Sequence, residues 1–555
     1  MSNNIISFDN QDQEEEKEEP FSNFRVSNNP NQKKRLILLI IAVSIILFII
    51  SFISIYYFFF NSDENGSDKI NEISLKYEVN NTYINVKLFD TTVVNIMNSI
   101  ESMTINDEDI KPVVDKFKFK KAGMHNIKIK LKNYLNSLES VFKNCANLIE
   151  VDLSKLDFSK INNLSYLFFG CSSLIKINGL NSIGANKVTD MSFLFHGCTS
   201  LKNIDLSSFD TSLVINMKSM FSYSSLTELN LSNFNTSKVT NMESLFDSCT
   251  SLTSINLKSF NTDNVQSMSK MFNGCKSLVS LDISNFRTNN VMDLSFMFNS
   301  CHNLKSINLE NFDTTKVKSL NQMFRDCSSL TSINLENFKT DENEDMYQMF
   351  NGCNSLEYLN INNFKTSKIT NMFNLFYGCF SLKSLNLANF DTSNVITMSG
   401  MFSQCLSLTS LDLKNFNFAK TISLDNMFNN CSSLVSVEFN TNIENEHNLA
   451  SITYMDNMFK SCKKLNSINF GKLNLSMVSN INSLFEDCSS LSNINLNYFD
   501  TSNIEFYDNL FKGINSEGTI SYNSSILDEK ILKDLPPTWE KIDINKKIIN
   551  LFKHY

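Results

Sequence analysis

Cysteine recurs along this chain at a fixed interval, and this period constrains the fold more than any other feature. Each step from Cys249 to Cys431 spans 26 residues, and the chain holds 13 cysteines. Between Cys198 and Cys249, Ser224 stands where the register calls for a cysteine. Self-similarity at a period of roughly 20–50 residues is the signature of stacked repeats. The sequence therefore predicts one long array, not the three or four domains that 555 residues would otherwise suggest.

Residues 252–277 serve as the type repeat. Their first segment, Leu252-x-x-Ile255-x-Leu257, has the spacing of a leucine-rich-repeat strand with Asn256 on the outward face. Four apolar residues follow at the spacing i, i+3, i+4 and i+7, namely Met268, Met271, Phe272 and Cys275. This spacing predicts the inward stripe of a short helix. Each repeat is thus predicted to be a strand, a turn and a helix of about two turns.

Stacking would place equivalent side chains about 4.8 Å apart, so each inward position becomes a column. Two columns hold 25 of the 47 phenylalanines. The first contains Phe142, Phe168, Phe195, Phe221, Phe246, Phe272, Phe298, Phe324, Phe350, Phe376, Phe402, Phe428, Phe459, Phe485 and Phe511. The second contains Phe209, Phe234, Phe260, Phe286, Phe312, Phe338, Phe364, Phe390, Phe416 and Phe499. Burying each ring contributes roughly 1.5–3 kcal/mol, which no single repeat could realise alone.

The predicted fold is a leucine-rich-repeat-like α/β solenoid of about 14 repeats over residues 135–515. Because terminal repeats would expose the core, the array needs a cap at each end. Alternating apolar runs within residues 61–134 predict a small β-sandwich-like N-terminal cap. Residues 516–555 are predicted to form the C-terminal cap, in which Trp539 closes the last core layer.

The repeats resemble those of a known family. The run SLxSLDLSNFDTSNVxxMSxMFSxC, best matched by Ser381–Cys405 and Ser407–Cys431, is similar to the 26-residue repeat of BspA-like leucine-rich-repeat surface proteins. About 375 residues, from Leu138 to Gly513, follow this pattern. The resemblance implies a cell-surface protein used in adhesion or recognition, and it does not name a ligand.

A transmembrane helix is predicted at residues 36–60, a stretch without a charged side chain. Such a helix reaches about 37 Å, enough to cross a hydrocarbon core of roughly 30 Å. Lys33, Lys34 and Arg35 precede it, whereas acidic residues follow it, so the positive-inside rule places residues 1–35 in the cytoplasm as a disordered acidic tail. Residues 61–555 are then exoplasmic, which predicts a type II single-pass protein at the cell surface.

Charge and composition argue against nucleic-acid binding and against catalysis. The net charge is −9, whereas nucleic-acid binding needs clustered basic residues. The five histidines are dispersed, and the chain has no GxSxG, GxxxxGK or GxGxxG motif. We therefore expect no enzyme activity, no cofactor and no metal site. The cysteines are interpreted as a buried thiol column, with a disulfide framework as the less favoured alternative.

The outward strand position is the candidate ligand face. It carries an Asn/Asp ladder, of which we single out Asn256, Asp282, Asn308, Asn334, Asn360, Asn386 and Asp412. A mostly serine column runs beside it, and Tyr358 interrupts that column. Stacked amides that bond one another to stabilise the sheet would explain the ladder without a ligand. The functional hypothesis is that the uniform face binds an extracellular protein or a glycan weakly at many points.

Two functions follow from these observations. The favoured one is a membrane-anchored, non-catalytic surface protein for adhesion or recognition. The alternative is a structural coat or lumenal scaffold that self-associates without a foreign ligand.

Overall fold

The computed structural model describes residues 71–553, except residues 95, 133, 181–186, 440–450 and 474. The predicted cytoplasmic tail and transmembrane helix, with Lys33, Lys34 and Arg35, lie outside the described residues. In the described part of the chain, no helix has both the length and the apolar character needed to cross a bilayer.

The repeats form a β-solenoid of about 14 coils whose short strands pair in parallel. Its strands are β7 (Leu148–Lys155), β8 (Lys176–Asn178), β9 (Glu228–Asn230), β10 (Ser254–Asn256), β11 (Ser280–Leu281), β12 (Ser306–Ile307), β13 (Ser332–Asn334), β14 (Tyr358–Asn360), β15 (Ser410–Leu413), β16 (Ser436–Phe439), β17 (Ser467–Asn469) and β18 (Asn493–Leu496). Residues that pair between neighbouring strands are one 26-residue repeat apart, as Ser280 and Ser306 are. The predicted stacking is therefore confirmed, and the predicted strand is present in most coils but not at residues 201–206 or 382–387.

The predicted helix of each repeat is wrong. Between Met268 and Cys275 the chain makes successive tight turns, in which Met271 N donates to Met268 O at 3.1 Å. The alternate amides bond the next coil instead, and Phe272 N donates to Met297 O at 2.9 Å. Lys270 and Gly274 have φ angles of 59° and 68°, in the left-handed region that a right-handed helix excludes.

The predicted inward positions are nevertheless correct, because the turns place the same residues in the core. Phe272 and Phe298 are both fully buried, and their ring centroids lie 5.9 Å apart at an interplanar angle of 4°. In the second column, Phe260 and Phe286 stack at 6.3 Å and 5°. These distances are in the range where aromatic pairs attract one another. Both phenylalanine columns therefore run through the described coils.

The N-terminal cap is β-rich, but its main sheet is continuous with the solenoid. Its strands are β1 (Glu72–Val79), β2 (Val86–Lys87), β3 (Ile100–Ile105), β4 (Glu108–Asp109), β5 (Lys116–Phe117) and β6 (Gly123–Leu131). The six-stranded sheet has the order β4-β3-β6-β1-β7-β8, in which β1 pairs antiparallel with the first solenoid strand, β7. β2 and β5 form a separate two-stranded sheet. The cap thus extends the first coil by direct strand pairing. The prediction of a small β-sandwich-like cap did not include this pairing.

The C-terminal cap adds two more parallel strands, β19 (Thr519–Tyr522) and β20 (Glu540–Asp543), to β18. A 3-10 helix spans Glu529–Leu532, and an α-helix spans Ile544–Lys553. Trp539 is buried, and its Nε1 donates to Asn515 O at 2.9 Å. Trp539 therefore packs at the end of the core, as predicted.

Candidate ligand face

The predicted ligand residues lie on one face of the solenoid. Asn334 and Asn360 are directly paired between β13 and β14, and Asn256 is paired with Asn230 between β10 and β9. Asn256 is half-buried, whereas the other predicted ladder residues and Tyr358 are exposed. The sequence prediction that these side chains share an outward face is therefore consistent with their placement, while ligand binding itself stays a prediction.

Each ladder side chain also closes an Asx turn, which in most coils ends the strand. Asn308 Oδ1 accepts a hydrogen bond from Glu310 N at 3.0 Å, and Asp412 Oδ1 accepts from Lys414 N at the same distance. The other predicted ladder residues, Asn256, Asp282, Asn334, Asn360 and Asn386, bond the amide two residues later in the same way. Asn and Asp favour such turns because their short side chains reach the backbone. One oxygen of each ladder residue is thus committed to the fold.

Amide-to-amide bonding explains less of the ladder than these turns do. Asn256 Nδ2 donates to Asn230 Oδ1 at 3.4 Å, which is a long hydrogen bond. Asp282 accepts from both the hydroxyl and the amide of Ser284, and these bonds lower the pKa of its carboxyl below the ordinary value. The face therefore carries fixed acceptors at the strand ends and, at Asp282, a carboxylate that stays charged at neutral pH.

The serine column beside the ladder is exposed along most of its length. Its members are Ser254, Ser280, Ser306, Ser332, Ser384, Ser410, Ser436 and Ser467, of which Ser436 is half-buried. A hydroxyl is both a donor and an acceptor. The strand face thus presents small, uncharged hydrogen-bonding groups once per coil.

Tyr358 is the departure from this uniformity. Its ring is 61% exposed, and Lys383 Nζ lies 5.3 Å from the ring centroid. The same ammonium donates to Glu357 Oε2 at 2.6 Å, and this bond raises the pKa of Lys383. The cation therefore stays charged and holds a position between the ring and the carboxylate.

Two further ladders, which the sequence analysis missed, bind the coils together. Asn311 Nδ2 donates to Ser284 O at 2.6 Å, and Asn337 Nδ2 donates to Glu310 O at 2.7 Å, so each amide bonds the preceding coil. A buried threonine column also runs through eight consecutive coils, at Thr211, Thr236, Thr262, Thr288, Thr314, Thr340, Thr366 and Thr392. The recurrence of Thr at the repeat period was the available signal in the sequence.

Two surface features also escaped the sequence analysis. In the first coils, Tyr166 stacks on Phe193 with centroids 4.6 Å apart, and Phe169 stacks on His196 at 4.5 Å. Towards the other end, four exposed apolar side chains form what we call the lateral apolar patch: Ile396, Ile422, Tyr454 and Phe506. Ile422 N bonds Ile396 O in the neighbouring coil, whereas Asn480 is paired with both Tyr454 and Phe506 and separates these two members of the patch.

The cysteines form a column inside the coils. All 13 cysteines are buried, as the thiol-column interpretation predicted. Cys301 Sγ donates to Phe272 O at 3.1 Å, and the same contact recurs in neighbouring coils. Within the part of the chain that the structure describes, no group of three His, Cys, Asp or Glu side chains could hold a metal ion.

The family assignment comes from the repeats themselves. The model of a family described as "Mycoplasma protein of unknown function, DUF285" matches residues 136–255, 240–358, 344–437 and 434–522. The chain belongs to the DUF285 family. These matches overlap end to end and together span the solenoid, and each of them covers several 26-residue coils.

Other comparisons add little to the DUF285 assignment. No curated protein matches the chain. A leucine-rich repeat protein from Bacteroides ovatus ATCC 8483 is 17% identical with a TM-score of 0.38, covering 80% of this chain and 99% of its own. A chain of a TLR13–ssRNA13 complex is 15% identical with a TM-score of 0.21, covering 68% and 63% respectively. At these scores neither structure bears on function, and the resemblance to BspA-like repeats stays a sequence-based prediction.

Proposed function

We propose that this DUF285 protein is a membrane-anchored cell-surface protein that binds a repetitive extracellular partner through the strand face of its solenoid. The observation that carries the proposal is the repetition of exposed hydroxyl and amide groups, such as those of Ser332 and Asn334, in successive coils. A partner with a repeating structure can engage many such groups at once. Avidity then replaces strong individual contacts.

The interior supports a binding role over catalysis. The phenylalanine and cysteine columns fill the coils, and Phe298 and Cys301 are fully buried. Chemistry on a partner would therefore have to take place at the surface, where the strand face offers mainly neutral side chains. We propose that the protein has no catalytic activity of its own.

The anchoring part of the proposal rests on the uncharged residues 36–60 and the basic cluster Lys33, Lys34 and Arg35. Antibodies against the solenoid should stain intact, unpermeabilised cells. Staining that requires permeabilisation would contradict the proposed orientation at the cell surface.

Arginine substitutions test the binding face. Ser280, Ser306 and Ser332 are exposed in consecutive coils, so a triple Ser→Arg variant would cover the face without touching the core. We expect its binding to intact host cells or matrix to fall at least tenfold. A triple Ser→Arg variant at Ser237, Ser367 and Ser393, which lie on the second turn after the strand and are half-buried or exposed, is the control. Equal loss in both variants would contradict a role for the strand face.

A second function, self-association into a coat, is favoured by the lateral apolar patch. Exposed apolar side chains that cluster on one surface mark protein interaction sites in many soluble proteins. Sedimentation of the full-length protein, measured at several protein concentrations, distinguishes the two functions. Assembly that Ile422→Ser abolishes would support the coat, whereas a monomer that binds cells would support adhesion.

A further inference from the structure

Tyr358 occupies a serine position in the middle of the strand face. It lies in direct register with Ser332 of the preceding coil, and Ser384 holds the equivalent position in the following coil. Because its neighbours in the column are short, the ring stands above them and is 61% exposed. A large aromatic side chain at that position exposes apolar surface to water and adds nothing to the core. The coil therefore does not need the ring for stability.

The surroundings hold the ring in place without adding net charge. Lys383 Nζ lies 5.3 Å from the ring centroid and 2.6 Å from Glu357 Oε2. A cation–π contact of this kind contributes about 0.5–1 kcal/mol at an exposed site. The ammonium and the carboxylate cancel each other, so neither a cationic nor an anionic partner is favoured. The ring is therefore a positioned, neutral contact surface.

The groups next to the ring are hydroxyls and amides. Ser332 and Ser384 flank it in its own column, and the pair Asn334 and Asn360 lies two residues further along the strands. The serine hydroxyls supply donors and acceptors, and the asparagine NH₂ groups supply donors, because the oxygens of Asn334 and Asn360 accept the turn hydrogen bonds. An aromatic ring beside neutral donors and acceptors matches a sugar ring, which has an apolar C–H face and hydroxyl groups around its edge.

We propose that Tyr358, Ser332, Asn334 and Asn360 form a subsite for a neutral sugar ring of a glycan. The C–H face of the sugar packs on the tyrosine ring, and its hydroxyls bond the serine and asparagine side chains. The subsite sets the register of a glycan chain along the face, and the uniform coils on either side add weak contacts. This inference rests on the proposed binding function and names the chemical class of its partner.

The test uses Tyr358→Ser, which restores the serine of the column and leaves the core untouched. Full-length protein, in a detergent without a sugar headgroup, is applied to an array of neutral oligosaccharides that end in glucose, galactose, mannose or N-acetylglucosamine. We expect the natural protein to bind a subset of these glycans and Tyr358→Ser to weaken that binding at least tenfold. Tyr358→Phe keeps the ring and should keep most of the binding.

Tyr223→Ser is the matched control, because Tyr223 is 52% exposed on a turn away from the strand face. It should bind as the natural protein does. The inference is overturned if no neutral glycan is bound, or if Tyr358→Ser binds as well as the natural protein. Cell binding that survives enzymatic removal of the glycans would overturn the saccharide subsite and leave the proposed binding function standing. Absence of all cell and matrix binding would overturn the binding function itself.

Discussion

At the residue scale, most of the buried thiols link their own coil to the preceding coil through a hydrogen bond. Burial raises the pKa of Cys301 to about 12, and its thiol donates to the backbone of the preceding coil. Ser224, the natural replacement, is also buried and lies 3.6 Å from Cys249 Sγ. A small buried hydroxyl can therefore take the place of the thiol in this column.

Thiol labelling tests this account of the cysteines. Because the thiolate is the reactive form and burial suppresses it, the cysteines should not react with iodoacetamide at pH 8 in the folded protein. All 13 should react after unfolding in guanidinium, as counted by mass spectrometry. Rapid labelling of several cysteines before unfolding would contradict the column, and fewer than 13 labelled after unfolding without reductant would indicate disulfides.

A second residue-scale prediction concerns Glu486, which is buried between two lysines of neighbouring coils. Lys460 Nζ and Lys512 Nζ each lie 2.7 Å from one of its oxygens, and their hydrogen bonds lower its pKa from 4.5 to about 2. A lowered pKa in the folded state stabilises the fold fully above pH 4.5, and this contribution is lost as the pH falls towards 2.

Glu486→Gln should therefore lower the free energy of unfolding at pH 7 by about 1–3 kcal/mol. The difference from the natural protein should shrink below pH 4.5, when measured by urea unfolding at several pH values. Glu243→Gln, which breaks a more exposed pair with Lys218, should cost less than about 1 kcal/mol. A Glu486→Gln effect that does not change with pH would contradict this account of the carboxylate.

At the element scale, the sequence predicted which residues of each coil face inward, but it did not predict the backbone conformation. The spacing of Met268, Met271, Phe272 and Cys275 fits a helix, but tight turns with left-handed residues place the same side chains inward. Gly274 was a signal, because glycine is the residue that adopts a positive φ at least cost. Lys270 carries no such signal, so the sequence alone favoured the helix.

The candidate face was predictable in part for a similar reason. Periodicity placed Asn256 and Asp282 outward, because side chains alternate along a strand. It did not show that their oxygens close Asx turns, nor that Asn311 bonds the preceding coil, because asparagine is common at every polar position. Only the contacts separate the asparagines that hold the fold from those available to a partner.

The threonine column gives the element-scale prediction. Thr314 Oγ1 donates to Lys339 O and accepts from Lys339 N, both at 2.7 Å, in a fully buried position. Thr314→Val keeps the shape of the side chain but removes its hydroxyl, so the N–H and C=O groups of Lys339 both lose this hydrogen-bond partner. We expect a loss of about 1–3 kcal/mol in the free energy of unfolding. Thr331→Val, at an exposed position, should change it by less than about 0.5 kcal/mol in the same urea titration. Equal effects would contradict the threonine ladder.

At the scale of the whole molecule, the array explains both stability and the proposed function. Each coil contacts its neighbours, so identical side chains form continuous columns inside and continuous ladders outside. The N-terminal cap closes one end by pairing β1 with β7, and β19 and β20 extend the sheet at the other. Repeats can thus be removed in whole units without exposing the core, and each removal shortens the binding face.

Deletion of whole repeats is the measurement that tests the central claim most directly. Removing residues 250–327 joins Cys249 to Ser328 in register, eliminates three coils and leaves Tyr358 in place. The account predicts a cooperatively folded protein whose apparent affinity for intact cells or matrix falls about tenfold or more, because fewer sites act together. A folded deletion protein that binds as tightly as the natural one would contradict binding through the repeated face.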